Sequence, residues 1–200
     1  MMTAVGDSAE RERSAEAPRS REIDRVTLER CKRGDPLAFR AFVVRYERAV
    51  FAVLSRILGR GPHVEDLAQE TFLRAFRAFG SFDLDAAAKP STWLLTIATR
   101  LALDSKKRVQ PTLSSTDDMS TTSPEQATAR AQIGRAIERA ASELPDEQRV
   151  AFVLAEFHAM SLQEIAEATD TPEATVKTRL FRAREKLRAA LAQFREGVRS

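Results

Sequence analysis

Apolar residues recur every three or four positions through most of the chain, which is the spacing of one face of an α-helix. Asp35-Pro36 supplies an N-cap and a proline suited to the first helical position, and Gly59 and Gly61 provide an end. The apolar positions between them are Phe39, Phe42, Val43, Tyr46, Val50, Leu54, Ile57 and Leu58. The pattern predicts one long helix here, preceded by a short helix from Val26 to Lys32.

Pro62 opens a second predicted helix with two distinct faces. Its apolar stripe consists of Val64, Leu67, Ala68, Phe72, Ala75, Phe76 and Phe79. Its polar positions are Asp66, Gln69, Glu70, Arg74 and Arg77. After a loop at residues 80–90, Ser91 is predicted to cap a third long helix that carries Leu94, Ile97, Ala98 and Leu101. These helices together predict a small bundle.

Residues 110–124 form the clearest break in the pattern, because ten of these fifteen residues are Ser, Thr or Pro. Such a segment cannot hold a core and is predicted to be a flexible linker. It separates a first block at residues 25–109 from a second block at residues 125–196. Residues 1–24 offer almost nothing to bury and are predicted to be a disordered tail.

The second block is also predicted to be helical. Ser123-Pro124-Glu125-Gln126 is a capping box, and Ile133, Ile137 and Leu144 form the stripe that follows. Pro145 restarts a helix with the apolar positions Val150, Val153, Leu154 and Phe157. A second capping box at Ser161 begins a short helix to Ala168, and Pro172 opens a long helix to about Ala192. The predicted fold is all-α, with two small helical domains joined by the linker.

Composition agrees with the predicted all-α fold and excludes several classes of function. Seven glycines and few aromatic residues disfavour an all-β fold. One cysteine, Cys31, cannot form an internal disulfide, and no segment approaches the ~20 apolar residues of a membrane span. We therefore expect a cytoplasmic protein without membrane insertion. Closely spaced zinc ligands and Gly-rich phosphate loops are missing from the sequence, so we expect no enzyme activity and no cofactor.

The last two predicted helices are typical of a helix-turn-helix, with a capped short helix, a break at residues 169–171 and a longer helix. Val176 and Leu180 are predicted to face inward. Thr175, Lys177, Thr178, Phe181 and Arg182 are left to face outward. From Pro172 to Arg188 six basic residues outnumber two acidic ones. Lys, Thr and Arg at an outward helix start suit phosphate and major-groove contacts, so this segment is predicted to bind DNA.

The third helix of the first block carries a second candidate surface. The polar side of this helix is predicted to carry Thr92, Thr96, Thr99, Arg100 and Lys107, and Phe82 and Trp93 flank its start. Basic and aromatic residues together suit unstacked single-stranded bases, although a tryptophan at a helix start is more often part of a core.

Four motifs, in order, resemble the sigma-70 family of bacterial RNA polymerase sigma factors, in its extracytoplasmic-function (ECF) group. The stretches Asp66 to Phe76 and Ser91 to Asp104 resemble sigma region 2. Leu144-Pro145 with Ser161 to Ala166, and Thr175 to Arg184, resemble sigma region 4. The resemblance covers residues 25–195 and implies a protein that binds core RNA polymerase and directs it to promoters.

The resemblance also implies residue roles. Asp66, Gln69, Glu70, Arg74 and Arg77 would dock on core polymerase. Phe82, Ser91, Thr92, Trp93, Thr96, Arg100 and Lys107 would serve the melted −10 element. Thr175, Lys177, Thr178, Arg179, Phe181, Arg182 and Arg184 would serve the duplex −35 element, with Arg179 and Arg184 nearer phosphates or core. An anti-sigma factor is the expected regulator, and no metal or small cofactor is needed.

Three features depart from the family pattern. Arg100 stands where Asn is usual, which adds charge and removes the amide's paired donor and acceptor. Asp170 stands where Gly is common in the turn, and Asp tolerates the left-handed backbone better than most residues. The loop from Phe82 to Pro90 lacks the Gly-and-charged composition that is commoner in the family.

Two other functions remain open at this level. A sigma mimic would bind an anti-sigma factor as a decoy, but such mimics carry a receiver domain that this chain lacks. A helix-turn-helix repressor would account for the second block and leave the motifs of the first block unexplained.

Overall fold

The computed structural model describes residues 22–85, 89–108 and 129–197. In the last of these ranges, side chains are described for residues 134–192. Eight α-helices lie in these ranges: α1 (Arg25–Lys32), α2 (Pro36–Leu58), α3 (Pro62–Ala78), α4 (Pro90–Arg108), α5 (Ala129–Ser142), α6 (Asp146–Phe152), α7 (Leu162–Thr169) and α8 (Glu173–Gly197). The predicted linker, most of the predicted tail and the capping box at Ser123 lie outside the described residues.

Helices α1 to α4 form the bundle of the first block, with α2 packed against α1, α3 and α4. The start of α2 follows the prediction, since the Asp35 carboxylate accepts hydrogen bonds from the backbone N–H groups of Leu37 and Ala38 at 2.9 and 3.3 Å. Phe42, Val50, Leu54 and Ile57 are fully buried along α2. Cys31 is also buried, as a small core residue, and burial raises the pKa of its thiol.

The start of α4 differs from the prediction that Ser91 is its N-cap. The helix begins at Pro90, and the N–H of Trp93 donates to the carbonyl of Lys89 at 3.0 Å. Proline fixes a helical φ and its missing N–H costs nothing in the first turn, so the helix begins at Pro90, two positions earlier than an N-cap at Ser91 would allow. The Ser91 hydroxyl instead donates to Glu22 Oε1 at 2.9 Å.

Helices α5 to α8 form the second block, in which α8 packs against α5, α6 and α7. The sequence pattern did not reveal that α6 continues into a π-helical segment, Val153–Phe157. This segment widens the helix just before a sharp break, where Ala159 has a positive φ of 53°. The break directs the chain into α7, whose capping box at Ser161 and Glu164 is formed as predicted.

The two blocks also pack against each other, mainly through α4 and α7. One continuous apolar cluster contains Leu54, Ile57 and Leu94 of the first block and Leu154, Ile165 and Val176 of the second. A smaller cluster, which includes Leu144, Leu180 and Leu187, lies within the second block. The second block therefore buries part of its apolar surface against the first.

Candidate nucleic-acid interface

Helices α7 and α8 have the geometry of a helix-turn-helix. The turn is made at Asp170, which adopts the left-handed conformation with φ 48° and ψ 50°. Val176 and Leu180, on the inner side of α8, are buried. The five side chains predicted to face outward, Thr175, Lys177, Thr178, Phe181 and Arg182, are all exposed. Phe181 is 63% exposed and places an apolar ring within this row of hydroxyl and basic side chains.

Arg179 and Arg184 differ from these five residues, because ion pairs inside the second block hold them. The Arg179 guanidinium contacts Glu147 Oε2 at 2.7 Å and donates to Thr171 Oγ1 at 3.1 Å. Arg184 donates twice to Glu156 Oε1, at 2.9 and 2.6 Å. Both side chains therefore join α8 to the rest of the block.

Helix α4 presents the predicted polar side at its contact with α7. Thr92 Oγ1 donates to Glu164 Oε1 at 3.1 Å, and Arg100 Nη2 donates to the carbonyl of Glu167 at 2.8 Å. Thr96 Oγ1 donates to the Thr92 carbonyl at 2.9 Å within α4. Lys107 is exposed near the end of the helix. The structure thus places Thr92 and Arg100 at the boundary between the two blocks.

Glu164 is the acidic residue that accepts the hydrogen bond from Thr92 at this boundary. Burial raises the pKa of its carboxyl, but hydrogen bonds from Ser161 and Thr92 outweigh that effect, so the pKa lies below its usual value. The carboxylate is therefore charged at neutral pH, where it both caps α7 and faces the start of α4.

Phe82 and Trp93 belong to an aromatic cluster with Phe79. The Phe82 and Trp93 ring centroids are 4.9 Å apart, and the Phe79 ring lies 5.3 Å from Trp93. Phe82 is buried, and the carbonyl of Phe82 accepts a hydrogen bond from Lys32 Nζ at 2.9 Å. Through Trp93, this cluster packs the start of α4 against Phe79 and Phe82.

The polar face of α3 lies at the surface, away from the core stripe. Asp66, Gln69, Arg74 and Arg77 are exposed, and Glu70 pairs with Arg74 at 2.7 Å. Sequence reasoning missed the exposed apolar residues nearby, Leu73 and Phe76 on α3 and Leu37, Val44 and Phe51 on α2. The three on α2 are seven positions apart, outside the core stripe, and this spacing was the available signal.

Within the described ranges, no group of three or more His, Cys, Asp or Glu residues could hold a metal ion. A search of the same ranges found no helix with the length and apolar character needed to cross a membrane. The turn at Asp170 and the exposed basic, hydroxyl and aromatic side chains at the start of α8 are those of a DNA-binding protein of the helix-turn-helix class.

Comparison with known proteins gives the family. The model for Sigma-70 region 2 matches residues 42–112, and the model for Sigma-70, region 4 matches residues 134–187. The RNA polymerase sigma-H factor of Pseudomonas aeruginosa is 33% identical, with 86% of this chain and 95% of that one covered. The ECF RNA polymerase sigma factor SigW of Bacillus subtilis is 34% identical, with 82% and 94% covered.

Solved structures show the same fold. The chain is similar to CnrH in complex with the cytosolic domain of CnrY, with a TM-score of 0.60, 25% identity, and 84% and 96% of the two chains covered. The sigma factor RpoE of Bartonella quintana, in complex with the anti-sigma factor NepR, matches with a TM-score of 0.60, 21% identity, and 76% and 96% covered. The chain belongs to the ECF sigma factors of the sigma-70 family. It is a transcription initiation factor that directs RNA polymerase to promoters.

Proposed function

We propose that this sigma factor divides promoter recognition between its two blocks. Residues 25–109 act as region 2, which binds core polymerase and the −10 element, and residues 125–196 act as region 4, which binds the −35 element. Residues 110–124 link them. The observation that carries this proposal is the outward row on α8, where five exposed side chains stand above buried Val176 and Leu180.

The −35 element is duplex DNA, and the first half of α8 suits its major groove. Lys177 and Arg182 supply the positive charge, Thr175 and Thr178 supply hydroxyl groups, and Phe181 supplies an apolar contact for a thymine methyl group. Arg179 and Arg184 act differently, since their ion pairs with Glu147 and Glu156 orient the helix. Their guanidinium groups then lie beside the reading face, within reach of phosphates.

The −10 element is bound as a melted strand by α4 and the loop before it. Extruding a base from the stack costs a few kcal/mol, which a shaped protein surface must offset. Ser91, Thr92 and Thr96 supply hydroxyl groups there, and Arg100 and Lys107 supply charge for the strand. Phe82 and Trp93 shape the site from beneath through their contact with Phe79.

Core polymerase docks on the first block through α3 and the adjoining part of α2. Asp66, Gln69, Glu70, Arg74 and Arg77 provide the polar contacts. The exposed apolar residues Leu73 and Phe76 on α3 extend this surface and give it area to bury. A mixed surface of this kind suits a stable docking site better than its charged residues alone.

An anti-sigma factor is the proposed regulator of this chain. CnrH and the sigma factor RpoE are both described in complexes, the first with the cytosolic domain of CnrY and the second with the anti-sigma factor NepR. The match covers 96% of each of those two chains. We place the protein in the cytoplasm, where core polymerase acts, and assign it no catalytic activity of its own.

Run-off transcription tests the assignment of the −35 surface. Sigma-free bacterial core polymerase would be supplied with wild-type protein or the Lys177→Ala/Arg182→Ala variant and a library of host upstream fragments. Each lost base contact costs ~1–3 kcal/mol, so we expect at least a tenfold fall in specific transcripts for the double variant.

Lys186→Ala/Arg188→Ala is the matched control, because it removes the same charge from an exposed part of the same helix. We expect it to keep more than half of the wild-type transcript yield. Equal losses in the two double variants would reduce the role of α8 to general attraction for DNA and remove base reading by Lys177 and Arg182.

A further inference from the structure

Four polar contacts between the two blocks have their donor and acceptor groups arranged in the same sense. Arg56 faces Glu138 Oε1 at 3.4 Å, and Lys106 pairs with Asp146. Thr92 donates to Glu164, and Arg100 donates to a backbone carbonyl of α7. In each of these four contacts the donor belongs to the first block and the acceptor oxygen belongs to the second.

Two of these contacts fall on the side of α4 that the proposed function gives to the melted DNA strand. Thr92 and Arg100 are two of its proposed binding residues, and both are engaged by α7. Lys107, a third, lines a small cavity at the boundary, opposite Ile165 and Thr169 of α7. Helix α7 therefore covers the strand-binding side of α4.

The second block meets this side with the kind of groups that a nucleic acid would offer. DNA presents acceptor oxygens and negative charge to a protein, and the side chains that bind it are donors. Here carboxylates and a helix carbonyl occupy the same donors. Glu164 is well suited to this role, because its lowered pKa keeps it charged beside Thr92.

We propose that the second block acts as an internal competitor of single-stranded promoter DNA, with α7 covering the strand-binding side of α4 in the free protein. This inference rests on the proposed function of α4. The reading face of α8 stays exposed in the same arrangement, so the free protein can meet duplex DNA while its strand-binding side is closed.

The geometry requires this contact to open at a promoter. Elements centred near −35 and −10 are about 25 base pairs apart, which is ~85 Å of B-form DNA. Helix α8 packs on α7 and α7 packs on α4, so the closed protein cannot reach both elements. Opening exposes the shared apolar cluster, and docking on core polymerase is the event that can offset this cost.

Charge reversal at the contact tests the proposal in the full-length chain. Asp146→Lys places two lysines together in place of the pair between Lys106 and Asp146. Glu143→Lys makes the same change in charge three residues away, at an exposed residue with no ion pair to the first block among the described side chains. The double variant Lys106→Asp/Asp146→Lys restores an attractive pair in the opposite sense.

Two measurements apply to each variant. One is the affinity for a fluorescein-labelled single-stranded DNA of about 20 random nucleotides, longer than typical strand-binding sites. The other is the spin-label distance between Arg48→Cys on α2 and Lys186→Cys on α8, both exposed positions, with buried Cys31 left in place.

We expect Asp146→Lys to bind the strand about fivefold more tightly than wild type and to show longer, broader distances. Glu143→Lys should gain at most about twofold from its added charge and keep the wild-type distances. The swapped pair should return to the wild-type distances. Identical affinities and distances for Asp146→Lys and Glu143→Lys would overturn the proposal.

Binding to core polymerase separates this failure from failure of the proposed function. If both variants bind core polymerase and differ in neither measurement, the internal competitor is wrong and the sigma assignment stands. A different result is that neither the wild type nor any variant binds core polymerase or the DNA strand, while Asp146→Lys still lengthens the spin-label distance. In that case the proposed role of α4 is wrong, and so is the proposed competition with DNA.

Discussion

His158 lies at the end of the π-helical segment with most of its ring buried, close to Arg56 of the first block. Its Nε2 atom has no hydrogen-bond partner among the described residues. Burial, together with the positive charge of Arg56, lowers the pKa of this imidazole to about 4. At neutral pH the ring is therefore uncharged.

This pKa makes folding sensitive to acid. The unfolded chain binds a proton at His158 near pH 6.5, whereas the folded chain binds it only near pH 4, so stability falls as pH drops between these values. We expect wild type to lose about 2 kcal/mol more than His158→Gln in free energy of unfolding between pH 7.5 and 5. Urea unfolding at both pH values measures this difference.

Carboxyl groups also titrate in acid, among them those of Asp35 and Glu164, whose pKa values are lowered. Both proteins share those groups, so the comparison isolates His158. Parallel pH profiles for the two proteins would show that the imidazole is not held uncharged by burial.

At the scale of elements, helix ends determine how the second block is built. Among the described residues of this block, two other than glycine have positive φ: Asp170 at 48° between α7 and α8, and Ala159 at 53° before α7. Asp170 is tolerated because aspartate visits the left-handed region more readily than most residues. Ala159 has no polar side chain to compensate for the strain on its backbone, so the break before α7 is strained.

Glycine should therefore stabilise the protein at position 159. We expect Ala159→Gly to raise the free energy of unfolding by about 0.5–1 kcal/mol, because glycine adopts positive φ without the steric cost of a Cβ atom. Urea unfolding measured with circular dichroism tests the change.

Ala190→Gly is the matched control, since Ala190 is exposed in the regular part of α8. The same exchange in a helix interior should cost ~1 kcal/mol. Opposite signs for the two substitutions are the expected result. A loss of stability at position 159 as large as that at position 190 would contradict the strained break.

At the scale of the whole molecule, the shared apolar cluster makes the two blocks depend on each other. Ile165 of α7 is fully buried, in the same cluster as Leu94 of α4. The single tryptophan of the chain, Trp93, lies in the first block beside Phe79 and Phe82. Its fluorescence therefore follows the unfolding of the first block and can reveal whether the second block supports it.

We expect Ile165→Ala to shift the unfolding transition recorded by Trp93, although the substitution lies in the other block. Truncating a buried isoleucine costs ~2–5 kcal/mol, and in the closed protein part of that loss falls on contacts with α4. Chemical denaturation followed by Trp93 fluorescence and by circular dichroism should give coincident midpoints, both lowered.

Leu187→Ala provides the comparison, because Leu187 is buried in the smaller cluster within the second block. We expect it to shift the midpoint seen by Trp93 less than Ile165→Ala does, because Leu187 is not part of the cluster shared with the first block. If Ile165→Ala leaves the Trp93 transition unchanged, the blocks unfold independently and the shared cluster adds no stability.

The sequence by itself determined the helices and the family. Asp35-Pro36, Pro62 and the capping box at Ser161 mark helix starts through local hydrogen bonds and fixed φ angles, and local rules of this kind can be read from a few residues. The outward row on α8 followed from helical spacing around Val176 and Leu180. Residue types in four ordered motifs were enough to indicate a sigma factor.

Only the tertiary structure decided what these surfaces contact. Phe82 is buried beside Trp93, Arg179 pairs with Glu147, and Arg100 donates to α7. Each of these contacts joins residues whose separation in the chain has no periodic signature. The packing of α7 on α4 is also a contact between residues far apart in the chain. It depends on the complementary shape and charge of two folded blocks, which a local sequence pattern does not specify.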